Sequence, residues 1–322
     1  MLGMRVSVAL CTYNGSKYIT TQLDSILEQI EPINEIVVCD DGSLDDTLEK
    51  VKDVSLRNPQ ILWKIQKNNT SLGVIKNFEK AISLCTGDII FLSDQDDVWH
   101  KDKTKVTTKF FNDNPSIDVV FTDANLIGED GSLITDYSLL DAMLLKPYFA
   151  LWESGLKFEI LNVRPVATGA TMAFRRSCMD SFLPFDDDKY ILHDYQIILA
   201  SCRSNSLGVL KEKLIDYRQH ENNVIGVKHD NWIYTSKKAP SLLSMIVEPY
   251  PIRKWFKGWE CKRVSFYKLR IWGHSTIPGK LRLIMSIPLY IKFYGKFGWI
   301  FFASDILYGV NYKLRSWLIN RY

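Results

Sequence analysis

The sequence predicts an α/β fold, a mostly parallel sheet flanked by helices, and three observations carry that expectation. Short β-branched runs alternate with longer segments of helical apolar spacing from Arg5 to Phe121, and such a succession builds a parallel sheet with helices packed on its faces. Acid-rich polar clusters follow the first, second and fourth runs, where parallel sheets gather ligands. Residues 251–322 carry 14 Lys and Arg against only Glu260 and Asp305, a net of +12, whereas residues 1–250 hold 26 basic and 35 acidic side chains. Two regions with different tasks are implied.

The strands are expected at Val6–Cys11, Glu35–Cys39, Leu62–Gln66, Asp88–Leu92 and Val119–Phe121. The first four end in turn or polar residues. Between them, residues 16–29, 45–57, 74–85 and 101–112 place apolar side chains at helical spacing. A later region, about 122–220, mixes a hairpin signal at Glu129-Asp130-Gly131-Ser132, an apolar run over Thr168–Phe174, a helix after His193 and a strand over Lys213–Tyr217. No internal repeat or low-complexity linker divides residues 1–230, so one continuous domain is expected there, with a separate basic and aromatic region over 231–322.

Composition excludes several classes. With 322 residues, 46% hydrophobic and 24% charged, 17 Gly and 11 Pro, the chain is neither collagen-like, nor disordered, nor a disulfide staple. A mean hydropathy of −0.08 is not that of a polytopic membrane protein. The six cysteines, Cys11, Cys39, Cys85, Cys178, Cys202 and Cys261, form no C-x-x-C pair. Several lie in apolar runs, and a reducing cytosol is expected. Met4 and Arg5 lead straight into Val6–Leu10, too short a core for a secretory signal.

Asp94, Asp96 and Asp97 crowd three carboxylates at the end of the apolar run Ile89–Leu92. Like charges that close repel unless solvent or a cation intervenes. A hard divalent ion, completed by phosphate oxygens, suits them; a solvated acidic turn capping the next helix is the plainer alternative. Asp40 and Asp41, followed by Gly42 and Ser43, suit a pyrimidine N–H or ribose hydroxyls, and equally an Asx turn with a helix cap. Neither cluster decides alone. Their recurrence at successive strand ends, beside Thr12-Tyr13-Asn14-Gly15, is the informative feature.

That combination resembles the inverting family 2 glycosyltransferases of the GT-A fold, a Rossmann-like α/β architecture. Val8–Gly15 is similar to the family's opening strand and loop, Asp40–Ser43 to its nucleotide-binding turn, Asn68–Asn77 to its third-strand exit, and Asp94-Gln95-Asp96 to its D-x-D. The longer string Phe91–Trp99, with Thr168–Met172, His193-Asp194-Tyr195 and Tyr217–Gly226, resembles the bacterial rhamnosyltransferases of cell-wall and capsular polysaccharide synthesis. The resemblance spans residues 4 to about 230. It implies a nucleotide-sugar half over about 1–122 and an acceptor half over about 123–230.

Residue by residue, the resemblance implies donor contacts from Thr12, Tyr13, Asn14, Asp40, Asp41, Lys76, Asn77, Asp94, Gln95 and Arg218, with Tyr13 stacking near a pyrimidine held by Asp40 or Asp41. Asp96, with Asp94 and His220, would hold Mn²⁺ or Mg²⁺; Asp194 occupies the general-base position; Trp99, Thr168, Gly169, His193 and Tyr195 would meet the acceptor. Most relatives carry Glu-Asp where this chain reads His193-Asp194. The rhamnosyl subgroup shares the His but often has Trp where Tyr195 stands. The chemistry is coherent: the cation neutralises a leaving diphosphate, and one carboxylate takes the proton from an attacking hydroxyl. The implied substrates are a nucleoside-diphosphate sugar, L-rhamnose on dTDP or a UDP-hexose, and a lipid-linked or growing polysaccharide acceptor.

The tail holds 17 of the 40 aromatic residues. Its most apolar stretch, Leu283–Ala303, is interrupted by Pro288, Lys292 and Lys296, whereas a spanning helix wants about 20 residues with few charges. Helices lying in the headgroup plane of an anionic membrane fit better. Peripheral attachment to the inner face of the cell membrane is expected; packing on the catalytic domain or on a second copy in a homodimer is the alternative. Nucleic-acid binding by this tail is the rival of a different class, disfavoured by the acidic clusters and by the lack of an RNP-like pattern. No G-x-G-x-x-G is present, which removes dinucleotide-dependent dehydrogenases.

Overall fold

The computed structural model describes residues 3–143, 149, 152–153, 157, 161, 166–187 and 192–220. The chain divides into units Met1–Thr235 and Ser236–Tyr322, and everything described here lies in the first. The basic aromatic region, Leu283–Ala303 within it and Glu221–Gly226 lie outside the described residues.

Eight strands form one sheet in the order β3-β2-β1-β4-β7-β6-β8-β5. They are β1 (Val6–Thr12), β2 (Glu35–Asp40), β3 (Leu62–Lys67), β4 (Ile89–Ser93), β5 (Val98–Trp99), β6 (Val119–Ile127), β7 (Met172–Arg175) and β8 (Leu207–Arg218). β1 runs parallel to β2 and β4, β2 to β3, and β6 to β8; β7 is antiparallel to β4 and β6, and β5 to β8. The helices are α1 (Ile19–Leu27), α2 (Thr47–Arg57), α3 (Gly73–Leu84), α4 (Lys103–Asp113), α5 (Leu139–Met143) and α6 (His193–Arg203). The expected α/β fold is observed. Strand β5 and helix α5 were not anticipated: each is too short for a periodicity signal.

Every residue of β1, β2 and β4 is buried, as expected of parallel strands covered on both faces. β3 is half-exposed at the sheet edge. Ile19, Leu23 and Ile26 of α1, Val51 and Val54 of α2, and Val8, Leu10, Ile36, Val38, Ile89 and Phe91 of the sheet share one core. Each such side chain stabilises the fold by about 1.5–3 kcal/mol.

Register aligns the strand ends. Thr12 pairs with Asp40, Asp40 with Lys67, and Leu10 with Ser93. The Asp41 N–H donates to Thr12 O and the Asn68 N–H to Asp40 O, each at 2.8 Å. The clusters after β1, β2, β3 and β4 therefore emerge along one rim. The strand expected over Val119–Phe121 continues to Ile127, and that over Lys213–Tyr217 begins at Leu207. Their pairing is broken by bulges around Asp123, which bend the ladder so that the end of β8 returns to the acidic turn after β4. No helix among the described residues is long and apolar enough to cross a membrane. Cys11, Cys39, Cys85, Cys178 and Cys202 are free thiols.

Candidate active site

The loop after β1 is built by its neighbours. Thr12 Oγ1 donates to Asp40 Oδ2 at 2.9 Å, and the Gly42 and Ser43 N–H groups donate to Asp40 Oδ1 at 3.1 and 2.8 Å. Asp40 is fully buried, so its carboxylate closes the turn instead of reaching a ligand. The Asn14 N–H donates to Ser43 Oγ at 2.8 Å while its own Oδ1 accepts from the Leu44 N–H at 2.9 Å. Gln95 clamps the same loop: its Oε1 accepts from the Tyr13 N–H at 2.8 Å and its Nε2 donates to Tyr13 O at 3.0 Å. A Cβ at Gly15 would lie 2.1 Å from Gln95 Oε1. The Tyr13 side chain, held by these contacts to its backbone, stands exposed at the rim.

Asp41 anchors the third-strand exit. Its Oδ1 accepts from Asn68 Nδ2 at 2.8 Å and the Leu72 N–H at 2.7 Å, its Oδ2 from Ser71 Oγ at 2.7 Å and the Gly73 N–H at 3.0 Å. Burial alone would raise its pKa; the donors together outweigh that and hold it below the usual carboxylate range. Asn77 is an internal brace, donating to Cys39 O and accepting from Asn68, both at 2.8 Å. Lys76 turns aside to Glu79 Oε2 at 2.9 Å and Phe185 O at 2.7 Å. Asp40, Lys76, Asn77 and Gln95, expected at the donor, make contacts that shape the rim.

The turn after β4 carries three carboxylates, Asp94, Asp96 and Asp97. Asp96 Oδ2 lies 2.7 Å from His220 Nε2, and the His220 ring stacks on Tyr18 at 5.3 Å between centroids. The Arg218 N–H donates to Asp97 Oδ1 at 2.9 Å and Arg218 Nε to Asp96 O at 2.7 Å. Its Nη1 reaches Gly128 O and Glu129 O at 3.0 and 3.1 Å. Arg218, expected at the donor phosphates, thus ties the turn to the main-chain carbonyls of Asp96, Gly128 and Glu129. Burial, with Asp96 and Asp194 nearby, pushes the Asp94 carboxyl up to about 7. Burial and its acidic neighbours likewise push Asp97 up, and its Oδ2 has no hydrogen-bond partner among the described residues.

These residues fit a divalent cation in one specific way. Among the described residues no three His, Cys, Asp or Glu side chains are grouped to enclose an ion. Asp96 and His220 instead present an oxygen and a nitrogen side by side, with Asp94 next to them in the chain. Such a two-point holder suits an ion whose remaining positions are filled by phosphate oxygens and water.

Asp194 opens α6. The Tyr195 N–H donates to its Oδ1 at 2.7 Å. Burial pushes its carboxyl up to about 6, opposed by the backbone N–H groups of Tyr195 and Gly169. Asp194 is among the nearby charges that raise the Asp94 carboxyl, after burial and Asp96. His193 is buried, stacks on Phe78 at 4.0 Å, and has neither ring nitrogen hydrogen-bonded among the described residues; burial pushes its pKa down to about 3, so it is neutral. A Cβ at Gly169 would meet His193 Nε2 at 2.8 Å. Thr168 hydrogen-bonds the buried Tyr217 side chain, joining this turn to β8.

Two residues expected to meet the acceptor have buried side chains. Trp99 lies in the core, 3% exposed, tilted against Phe91, because the short strand β5 turns it inward. Tyr195 is buried with its hydroxyl donated to Leu161 O. Sequence reasoning also missed Lys103. It is fully buried, its Nζ donates to Ala170 O at 2.9 Å and lies 4.3 Å over the Trp99 ring. Its signal was present: Lys103, Thr107 and Phe111 share the inward stripe of α4 at i, i+4, i+8.

The sequence profile of glycosyl transferase family 2 matches residues 7–182. The dTDP-rhamnosyl transferase RfbG of Shigella flexneri is 30% identical over 227 residues, 67% of this chain and 73% of that protein. S. aureus TarS 1-349 in complex with UDP-GlcNAc superposes with a TM-score of 0.57 at 19% identity, over 87% of this chain and 70% of that one. The mannosyltransferase PcManGT of Pyrobaculum calidifontis, in complex with GDP-Man and Mn²⁺, superposes with a TM-score of 0.50 at 15% identity, over 96% and 88%.

Proposed function

The chain belongs to glycosyl transferase family 2 and is a glycosyltransferase; from that premise we propose that it moves L-rhamnose from dTDP-L-rhamnose to a lipid-linked or growing polysaccharide acceptor, inverting the anomeric carbon. The observation that carries the mechanism is the meeting of Asp96 and His220 at 2.7 Å on a rim whose Asp94 senses Asp194. The donor identity is supported by the rhamnosyl relative at 30% identity and by the strings Phe91–Trp99 and His193-Asp194.

Asp96 and His220 would hold Mn²⁺ or Mg²⁺, which when bound neutralises the leaving diphosphate as a Lewis acid. Solved relatives of this fold carry nucleotide sugars, one with Mn²⁺. Asp41 and its donors hold the Asn68–Gly73 loop, and Tyr13 offers an exposed ring for a base. Asp194 takes the acceptor hydroxyl's proton as that oxygen attacks from the face opposite the diphosphate. Its raised pKa, about 6, makes it a stronger base than a solvated carboxylate while leaving it ionised at neutral pH. One carboxylate suffices for such a displacement, and no covalent sugar intermediate is needed.

Peripheral attachment to the inner face of the cell membrane through residues 251–322 is part of the same proposal, supported by their net charge of +12 and their 17 aromatics. Flotation with phosphatidylglycerol vesicles across a salt series tests it, with oligonucleotide retention as the opposing result. For the reaction, the purified chain is mixed with Mn²⁺ and dTDP-L-rhamnose, UDP-glucose, UDP-galactose or UDP-GlcNAc, and thermal stabilisation and diphosphate release are read. dTDP-L-rhamnose is expected to act most strongly. A stronger response to a UDP-hexose replaces the donor; no response to any nucleotide sugar overturns the reading.

A further inference from the structure

α4 begins at Lys103, and its inward stripe is Lys103, Thr104, Thr107, Thr108 and Phe111. A lysine with no solvent exposure at such a position is unusual, because a buried ammonium is costly unless charges and acceptors surround it. Burial pushes the Lys103 amine down to about 7, opposed by Asp97 and Asp94, and one acceptor is in place. Nζ donates to Ala170 O at 2.9 Å, lies 4.3 Å over Trp99, and is within electrostatic reach of Asp97 and Asp94.

Ala170 is the middle of the 3₁₀ turn Gly169–Thr171. That turn reaches the proposed base directly: the Gly169 N–H is a hydrogen-bond donor to Asp194, and an added Cβ at Gly169 would sit 3.8 Å from Asp194 Cβ. On its other side Lys103 lies over Trp99, two residues beyond Asp97 at the end of the acidic turn. One buried lysine therefore stands between the part of the chain that would hold the donor's diphosphate and the part that would carry the base. Residues 93–97 and 169–171 are far apart in sequence, so their relative placement rests on such cross-links.

We propose that Lys103 is a positioning residue: through its hydrogen bond to Ala170 and its packing over Trp99, it holds the Gly169–Thr171 turn, and with it Asp194, in register with the acidic turn that leads into Trp99. The inference rests on the glycosyltransferase reading of this site and adds to it a residue that touches neither donor nor acceptor. Misplacing a reacting group by about 1 Å can lower a rate by about 100-fold without abolishing binding, which sets the pattern to look for.

Lys103→Met removes charge and donor but keeps the length of the side chain; Lys103→Arg keeps both. The measurements are the melting temperature, the affinity for dTDP and UDP with Mn²⁺ by calorimetry, and kcat and KM with whichever panel donor the wild type uses. Lys103→Met is expected to lower kcat by about 10- to 100-fold, with diphosphate affinity and donor KM changed by less than about threefold. Lys103→Arg is expected to restore most of kcat. If Lys103→Met does not fold, Lys103→Gln replaces it under the same readouts. A Met or Gln variant with kcat within about twofold of wild type overturns the inference, as does a kcat loss matched by an equal loss of affinity that Arg does not relieve. A wild-type chain that binds no nucleotide and turns over no donor overturns the underlying reading instead.

Discussion

Asp96 Oδ2 and His220 Nε2 meet at 2.7 Å although 124 positions separate them in the chain. Asp96 leaves the sheet after β4 and His220 after β8, and the Tyr18 ring, stacked on the imidazole, holds the pair from the α1 side. Asp96→Asn and His220→Ala are each expected to weaken Mn²⁺-dependent binding of dTDP or UDP by at least about tenfold, the loss of one charge-assisted contact. A chelator should bring the wild type to the same level. Calorimetry with and without Mn²⁺ checks both, and unchanged affinity in Asp96→Asn would remove the residue from that role.

Asp194→Asn is expected to reduce transfer by at least about 10³-fold while leaving diphosphate affinity near wild type, since the amide cannot accept the proton. In the wild type, kcat/KM should fall as pH drops through about 6, where Asp194 becomes protonated. The folded carboxyl has a pKa above its ordinary 3.8, so its protonation stabilises the fold below that range and the benefit is lost as pH rises through about 6. Asp194→Asn should accordingly melt no lower than wild type at pH 8. A markedly lower melting temperature would mark Asp194 as a structural anchor instead.

Gly169→Ala places a methyl 2.8 Å from His193 Nε2. His193 is stacked on Phe78 at 4.0 Å and faces Phe185 at 6.2 Å, so the ring has little room to yield. A loss of about 1–3 kcal/mol is expected, as for overpacking in a close-packed interior, measured by urea unfolding. Activity should fall further than stability, because Asp194 follows His193 directly. Wild-type stability and turnover in the variant would show that the ring relaxes freely.

Asp41→Asn should destabilise the domain by about 2–4 kcal/mol at pH 7, since four donors converge on that carboxylate and an amide can satisfy only part of them. Its pKa is held below the ordinary value in the fold. The stability it contributes is therefore present above pH about 4 and is lost as pH falls through the lowered pKa. Urea titrations from pH 7 to pH 3 should show the wild type and the variant converging at the acid end.

Much of the architecture was legible because it follows from local chemistry. Alternating β-branched runs and helical apolar spacing place β1 to β4 and α1 to α4 within a few residues of their observed bounds. The hairpin signal at Glu129–Ser132 does make a turn, closed by the Gly128 N–H donating to Ser132 O at 2.8 Å. Roles within the site were less legible. Asp40, Asn77, Gln95 and Arg218 carry the polar groups a ligand would want, and a sequence does not reveal that neighbouring loops already occupy them. The burial of Trp99 was not legible because β5 has only two residues, Val98 and Trp99, and its inward turn depends on pairing with β8, more than 100 positions away.

The residue string alone determined which side chains stand at the carboxyl ends of the strands, and hence that acids, an asparagine loop and an imidazole would be available to one reaction centre. Which of them face outward was decided only when register brought the strand ends level and the bulged β6–β8 pair carried Arg218 and His220 back to the acidic turn. The reason is that hydrogen-bonding capacity is a property of a side chain, whereas its availability is a property of everything packed around it. Lys103 is the sharpest instance: a lysine by composition, it becomes an interior residue because Ala170 O accepts from its Nζ and the Trp99 ring packs beneath it.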